Sequence, residues 1–301
     1  MTTTYVPQAP ARPTRAASPH RAARGRAGRR KTLIWIAEHA VAVGLACAFV
    51  GPIVFIFLTS VMTDGQSLTT NLWPHHWQWS NYRTVFSTAP VGTWLANTVV
   101  YAVAATAATL LSSVPIAYAL ARLRFRGRNA AFLCVITMMM LPPQVLVIPM
   151  YLMWARMHLT GTIWPLVIPS LFGDAFSVFL LRQFLLTVPE DYLNAARIDG
   201  CGELRVLTRV VLPMMRPALV AVGLFSFFNA WNDYYGPLIY TGETPAHWTL
   251  ALGLATFKTS HAVQWNLTMA ATLIAMAPVI VVFFFAQKAF IEGVTLTGVK
   301  G

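Results

Sequence analysis

Charge is scarce in this chain. Only 11% of its 301 residues are Asp, Glu, Lys or Arg, whereas soluble globular proteins carry about 25%. Hydrophobic residues make up 56%, and the two figures together exclude an ordinary soluble domain. Cysteine is sparse too. Cys47, Cys134 and Cys201 are an odd number without a CxxC pair, so neither a disulfide framework nor a zinc site is implied. There is no Gly-Lys dipeptide, which removes the GxxxxGK[ST] loop that cradles nucleotide phosphates. HExxH and GxSxG are missing as well. His75 and His76 are adjacent and lack metal-ligand spacing, so no metal site is expected.

What the chain does have is long apolar runs. Six segments, near 38–61, 94–119, 130–153, 162–182, 217–240 and 265–287, reach the roughly 20 residues that cross a hydrocarbon core. None alternates with the period of a strand, so helices are expected rather than a barrel. The expected fold class is all-α: a polytopic membrane protein with six transmembrane helices and a cytoplasmic loop between spans 4 and 5. Residues 1–31 form a basic tail, and 32–301 the membrane domain, with its core at about 94–287 and the loop at about 187–216. The tail has no acidic residue and little that could be buried, so it reads as disordered. Its composition also fits a transit peptide, a twin-arginine signal at Arg29-Arg30 or a lipid-headgroup tether. The long apolar run that follows, with no small-residue cleavage site, favours a cytoplasmic tail anchoring the first span.

The net charge of +12 is distributed by loop. Nineteen of the 22 Lys and Arg residues fall in the tail, in 121–129, in 182–216 and at the C-terminal end. The alternate loops hold only Arg83, Arg156 and Lys258. The positive-inside rule therefore places both termini and the 187–216 loop in the cytoplasm. On the opposite side, Trp73, Trp77 and Trp79 read as an interfacial belt. Asn266-Leu267-Thr268 matches the weak glycan-acceptor pattern at the start of a span.

The loop carries the most information. Pro189-Glu190-Asp191 opens a helix, with proline in the first turn and acids at the positive end of the dipole. Gly200 closes it, and Leu193, Ala196 and Gly200 share a face. After Cys201-Gly202 a second segment puts Leu204, Leu207 and Val211 on one stripe and Arg205 and Arg209 on another, ending at Leu212-Pro213. Two readings stand on physics alone: an amphipathic hairpin on the inner leaflet, or a docking helix for a groove in a cytoplasmic partner.

At these residues the chain resembles the permease subunits of bacterial ABC importers. Their signature is EAA, three residues, Gly, nine residues, Ile, one residue, Leu-Pro. Here it reads Asn194-Ala195-Ala196, Gly200, Val210 and Leu212-Pro213. AARIDG and LPMMRPAL are similar to the carbohydrate, maltose-type branch. So are WSNYRTVF, WLANTVVYA, AYALARLRFRGR, LPPQVLVIPMYLM, FLLRQFLLTVPEDY, FNAWNDYYGPLIY and FIEGVTLTGVKG, in family order over about residues 75–301. One departure is Asn194, where the family usually has Glu; the amide keeps hydrogen bonding and loses the charge.

The resemblance implies a multi-pass protein of a bacterial cytoplasmic membrane that imports a carbohydrate and is not itself an enzyme. It implies a second permease related by a pseudo-two-fold axis, an extracytoplasmic solute-binding protein and a cytoplasmic ABC ATPase dimer holding ATP and Mg. This chain would bind no cofactor and no nucleic acid. In the coupling loop, Ala195, Ala196 and Gly200 would supply close packing, and Asn194, Arg197, Asp199, Glu203 and Arg205 polar contacts, up to Leu212 and Pro213. Candidates for the substrate path are Gln144 in span 3, Asp174 mid-span in the fourth, and Asn229, Trp231, Asn232 and Asp233 in the fifth, an intramembrane acid being a functional candidate by default. Trp231 reads first as packing. Two alternatives stay open: an ABC permease for a non-sugar solute, and a proton-coupled secondary transporter with Asp174 and Asp233 as relay groups.

Overall fold

A computed structural model describes the backbone of residues 20–257 and 264–298, with side chains for 34–255 and 264–288. Residues 1–19 of the expected tail, Lys258 and the side chains of the C-terminal GVTLTGVKG lie outside the described residues. No strand occurs among the described residues. The chain divides into two units, Met1–Phe55 and Ile56–Gly301.

The first unit contains most of α1 (His20–Ser60), whose start overlaps the segment expected to be tail. Within it, His39 Nδ1 bonds the carbonyl of Trp35 at 2.8 Å.

In the second unit, α2 (Asp64–Ser67) and α3 (Ser80–Thr88) lead to α4 (Val91–Arg122). The connection is fixed by buried Asn81, whose amide donates to the carbonyls of Ser60 and Met62 at 2.9 and 2.8 Å. Next come α5 (Arg128–Met139) and α6 (Val147–Arg156), then α7 (Trp164–Val167), a 3₁₀ turn Ile168–Phe172 and α8 (Ala175–Thr187). The loop holds α9 (Glu190–Ile198), α10 (Glu203–Val206), a π turn Leu207–Val211 and α11 (Leu212–Met214). The chain closes with α12 (Arg216–Asn232), α13 (Tyr235–Thr241), α14 (Leu250–Phe257) and α15 (Trp265–Gly298).

Among the described residues, four helical stretches are long and apolar enough to cross a membrane: Ile34–Ser60, Val91–Arg122, Trp164–Thr187 and Trp265–Lys288. Two bent pairs raise the number to six if each is one span: Arg128–Met139 with Pro143–Arg156, bent by 94°, and Glu203–Met214 with Arg216–Asn232, bent by 82°. The expected third and fifth spans are therefore not single helices. Pro142-Pro143 removes two amide donors and forces the preceding residues out of the α region, which breaks 130–153. The fifth stops at Asn232, where Asp233 turns extended before α13. The fourth is interrupted at Gly173, whose φ of 91° favours glycine.

α4 is the centre of this unit. Its buried Ala102, Ala105, Ala108, Ala117 and Ala121 let other helices approach closely, as small residues do inside membranes. Toward Arg122, α4 packs with α8, α9, the π turn and α12 around Leu181, Leu185, Leu193, Val211 and Val222. In its middle, Tyr101, Ala102 and Ala105 meet Leu166, Val167, Ala230 and Trp231. Toward Val91, Trp94 packs with Val85, Leu250, Leu267 and Ala270.

Candidate functional site

The 190–213 loop is built as the sequence suggests up to its glycine. Pro189 precedes α9, and Glu190 and Asp191 occupy the first turn. Gly200 adopts φ 81°, and the amides of Gly200 and Cys201 close the helix on the carbonyls of Arg197 and Ala196, both at 3.0 Å. Leu193 and Ala196 face inward and are buried against the α8 and π-turn core, so Ala196 packs within this chain. Gly200 is exposed, with nothing within 4 Å of an added Cβ.

The second segment differs from the expected stripe. The inward positions are Val206, Leu207 and Val211, while Leu204 is 75% exposed. Leu204 lies in the first turn of α10, where the chain leaves the exposed Gly202. Ile198, at 86%, is also exposed. The outward surface thus mixes Ile198 and Leu204 with exposed Asn194, Ala195, Asp199 and Arg205. A shallow depression of about 660 Å³ lies along Gly200, Gly202, Glu203, Leu204 and Arg205. Leu212 is half-buried and Pro213 exposed.

Polar contacts fasten this loop to α4. Arg197 donates through Nε and Nη2 to the two carboxylate oxygens of Glu203, at 2.8 and 3.3 Å. Its Nη1 donates to Asn194 Oδ1 at 3.2 Å. Arg197 and Glu203, expected among the contacts to a partner, are thus engaged with each other. The Tyr118 hydroxyl donates to Glu203 Oε2 at 2.5 Å. The Arg197 guanidinium, and after it the Tyr118 hydroxyl, hold the Glu203 carboxyl below its ordinary range. One turn further along α4, Arg122 Nη2 donates to the carbonyls of Leu185 and Val188 at the end of α8. Its Nη1 faces Glu190 at 3.4 Å. Arg182 lies 3.7 Å over the Phe132 ring and donates Nε–H to the Leu120 carbonyl at 3.2 Å. Tyr118 and Arg122 were not among the expected site residues, though their spacing of four on α4 puts them on one face.

The candidate path residues separate into groups. Asp174 and Asn229 line a cavity of about 400 Å³ between α4, α8 and α12, together with Tyr101, Phe176, Phe225 and Ser226. Asp174 is not mid-helix. It is the N-cap of α8, its Oδ2 accepting from Ser177 N–H at 2.7 Å and Ser177 Oγ–H at 2.6 Å. Asp233 stands behind the wall, where its Oδ2 accepts from the Tyr101 hydroxyl at 2.9 Å and its Oδ1 from Gly236 N–H at 3.0 Å. Trp231 and Asn232 line a different, mainly apolar pocket against α14 and α15. Trp231 is buried and donates to the Ala275 carbonyl at 3.2 Å, which agrees with packing. Gln144 is exposed in the 3₁₀ turn Pro143–Leu146 and lines neither pocket.

Among the described residues, no group of three or more His, Cys, Asp or Glu side chains is arranged to hold a metal. Trp73, Trp77 and Trp79 are exposed; Trp73 meets Trp77 edge-on at 6.1 Å, and Trp77 stacks on Trp79 at 6.0 Å. Asn266 is buried and donates to Met62 and Asn81, so it does not present a glycan acceptor.

Comparison with known proteins converges on one family. The model for the binding-protein-dependent transport system inner membrane component matches residues 113–295. The arabinooligosaccharides transport system permease protein AraQ of Halalkalibacterium halodurans is 32% identical over 81% of this chain and 86% of its own length. The sn-glycerol-3-phosphate transport system permease protein UgpE of Yersinia pestis is also 32% identical, over 80% and 89%. A crystal structure of a bacterial ABC transporter involved in the import of the acidic polysaccharide alginate superposes with a TM-score of 0.75 at 25% identity, covering 87% of this chain and 98% of that one.

Proposed function

This chain belongs to the family of binding-protein-dependent transport system inner membrane components, and on that premise we propose that it carries a carbohydrate through the membrane by way of residues on α4, α8 and α12. It is a permease subunit of an ABC importer, a multi-pass inner membrane protein with several apolar helices. Its partners in this reading are a second permease, a solute-binding protein outside and an ATPase dimer inside that holds ATP and Mg. The distribution of Lys and Arg supports cytoplasmic termini and a cytoplasmic 187–216 loop. The cargo reading rests on the relatives' names: arabinooligosaccharides, an acidic polysaccharide and a polyol phosphate, which divide into uncharged and anionic cargoes.

The observation that carries the coupling reading is the fastening of the loop. Tyr118, Glu203 and Arg197 on one side and Arg122 on the other bind 190–213 to α4 and to the end of α8. A partner that displaces the exposed surface around Asn194, Ala195, Ile198, Gly200 and Leu204 moves those helices as a body. Asp233 is held within the wall, its two oxygens bonded to Tyr101 and Gly236.

The test is ATP-driven uptake by the complete importer in proteoliposomes, with Gly200→Ala and Gly200→Glu. Both variants bear the left-handed strain of about 1–2 kcal/mol. Space around the missing Cβ is open, so only the projecting carboxylate separates them. Gly200→Ala is expected to retain much of the uptake, and Gly200→Glu to abolish it while remaining inserted. Normal uptake by Gly200→Glu would remove the loop from the coupling path.

A further inference from the structure

We infer that the cavity between α4, α8 and α12 is a subsite for uncharged carbohydrate, and that Asp174 is the residue that turns anionic sugars away. The inference rests on the importer reading and names the class of cargo.

The wall has the chemistry of a sugar site. Phe176 and Phe225 meet edge to face at 5.6 Å and are partly exposed, offering apolar ring surface to the C–H face of a sugar. Asn229 is exposed at the rim, and Ser226 lies 3.3 Å from Thr109, giving amide and hydroxyl groups that can donate and accept. A volume of about 400 Å³ falls within the roughly 300–1,000 Å³ of small-molecule sites.

The charge of the wall is of one sign. Asp174 is the carboxylate among the lining residues, and neither Lys nor Arg lines the cavity. Its Oδ2 is occupied by Ser177, and Oδ1 has no protein partner among the described residues. A second carboxylate, Asp233, lies directly behind the Tyr101 hydroxyl. Of the guanidiniums on these helices, Arg122 is committed to the α8 carbonyls and Arg182 to Phe132 and Leu120, while Arg216 stands at the start of α12, thirteen residues from Asn229. Sugar hydroxyls donate to a carboxylate. A phosphate or uronate brought beside it meets like charge in a medium of low dielectric, with no cation on this wall to offset it. Arginine forks and ammonium groups are common anion donors, and none lines this wall; the α8 N-terminus, the other donor of that kind, is capped by Asp174 itself.

Asp174→Asn isolates charge from structure, since Asn caps a helix about as well as Asp. The experiment is equilibrium binding to the complete importer, purified with its partner permease and ATPase and without the solute-binding protein. The probes are radiolabelled arabinotriose, maltotriose and N,N′-diacetylchitobiose against sn-glycerol 3-phosphate and a mannuronate trimer. At least one neutral probe is expected to bind about tenfold or more tightly than either anion. In Asp174→Asn the gap closes: anion binding rises severalfold and neutral binding weakens, with the melting temperature unchanged. Equal binding of anions and neutral sugars by the wild type, no binding of any probe, or an Asp174→Asn variant with the same preference each overturns the inference. If ATP-driven uptake with the binding protein persists in those cases, the importer reading stands and only the subsite falls. If no ATP-driven uptake occurs at all, the functional reading itself fails.

Discussion

Replacing Arg122 with alanine should separate two kinds of contact that look alike on paper. Arg122 has a side chain only 6% exposed, whereas its ion-pair partner Glu190 is 70% exposed. An exposed carboxylate at 3.4 Å contributes little, generally below about 1 kcal/mol. The carbonyls of Leu185 and Val188 are different, since each accepts from a charged donor out of water. Such bonds contribute about 1.5–3 kcal/mol apiece. Leu185 O also keeps the Val188 N–H at 3.2 Å, so its loss lies at the lower end. Arg122→Ala should therefore destabilise the α8–α9 junction by about 3 kcal/mol. That corresponds to a melting temperature lower by on the order of 10 °C in detergent. Glu190→Gln should change it by about a degree or two. In proteoliposomes, Arg122→Ala should also consume more ATP per sugar imported, because the loop no longer moves with α4. Equal damage from Glu190→Gln would show that the ion pair is the fastening. Wild-type melting and coupling in Arg122→Ala would refute the anchor altogether.

Three further outcomes follow from the same contacts. Gly236→Ala puts a Cβ 2.6 Å from Asp233 Oδ2 and 3.1 Å from Leu166, so it should cost about 1–3 kcal/mol and lower the yield of folded protein on size-exclusion chromatography. Gly253→Ala drives a Cβ to 2.2 Å from the Trp94 ring and should destabilise by a similar amount, read as a blue- or red-shifted tryptophan emission with earlier melting. Tyr118→Phe removes one bond to Glu203 and should cost about 1 kcal/mol, given the exposure of that carboxylate. Because the folded pKa of Glu203 is depressed, its contribution is present above the unfolded pKa and is lost as pH falls through the lower folded value. Melting curves taken across the acid range should thus be flatter in Tyr118→Phe than in the wild type.

The sequence made the helical class and the helical build of residues 190–213 legible for a local reason. Spans are long runs, and the loop is a run of caps, glycines and acids whose meaning depends on neighbours a few positions away. Pro189, Gly200 and the inward Leu193 and Ala196 fall where that logic puts them. Pro142-Pro143 and Gly173 interrupt two of the apolar runs, and hydropathy averages over such residues, so unbroken spans were expected there. Of the expected stripe, Leu207 and Val211 are buried, while Leu204 is exposed in the first turn of α10. Asp174 and Asp233 look equivalent as acids within apolar runs. Only the fold shows one capping α8 at a cavity and the other bonded behind Tyr101. The anchors Tyr118 and Arg122 act on residues more than sixty positions away, and no local pattern marks such partners.

These pieces meet on one helix. α8 starts at the cavity, with Asp174 as its cap, and ends at the carbonyls that Arg122 holds. Its 13 residues run about 20 Å without interruption. At the cavity end, Ser112 and Ser113 of α4 bond Ser170 O at 2.8 Å and Asp174 N–H at 3.3 Å. At the other end, Pro189 leads straight into α9. A push on the exposed face of α9 is therefore delivered to α8 and α4 together, through a buried core that includes Leu181, Leu185 and Leu193. Packed interiors of this density shift as bodies rather than deform. The cavity is lined by both helices and by α12, whose Ala218 and Val222 share the same core, so movement of the loop is delivered to every wall of the cavity. In the proposed reading, substrate release and loop displacement are then two ends of one rigid element, as an importer driven from a separate ATPase requires.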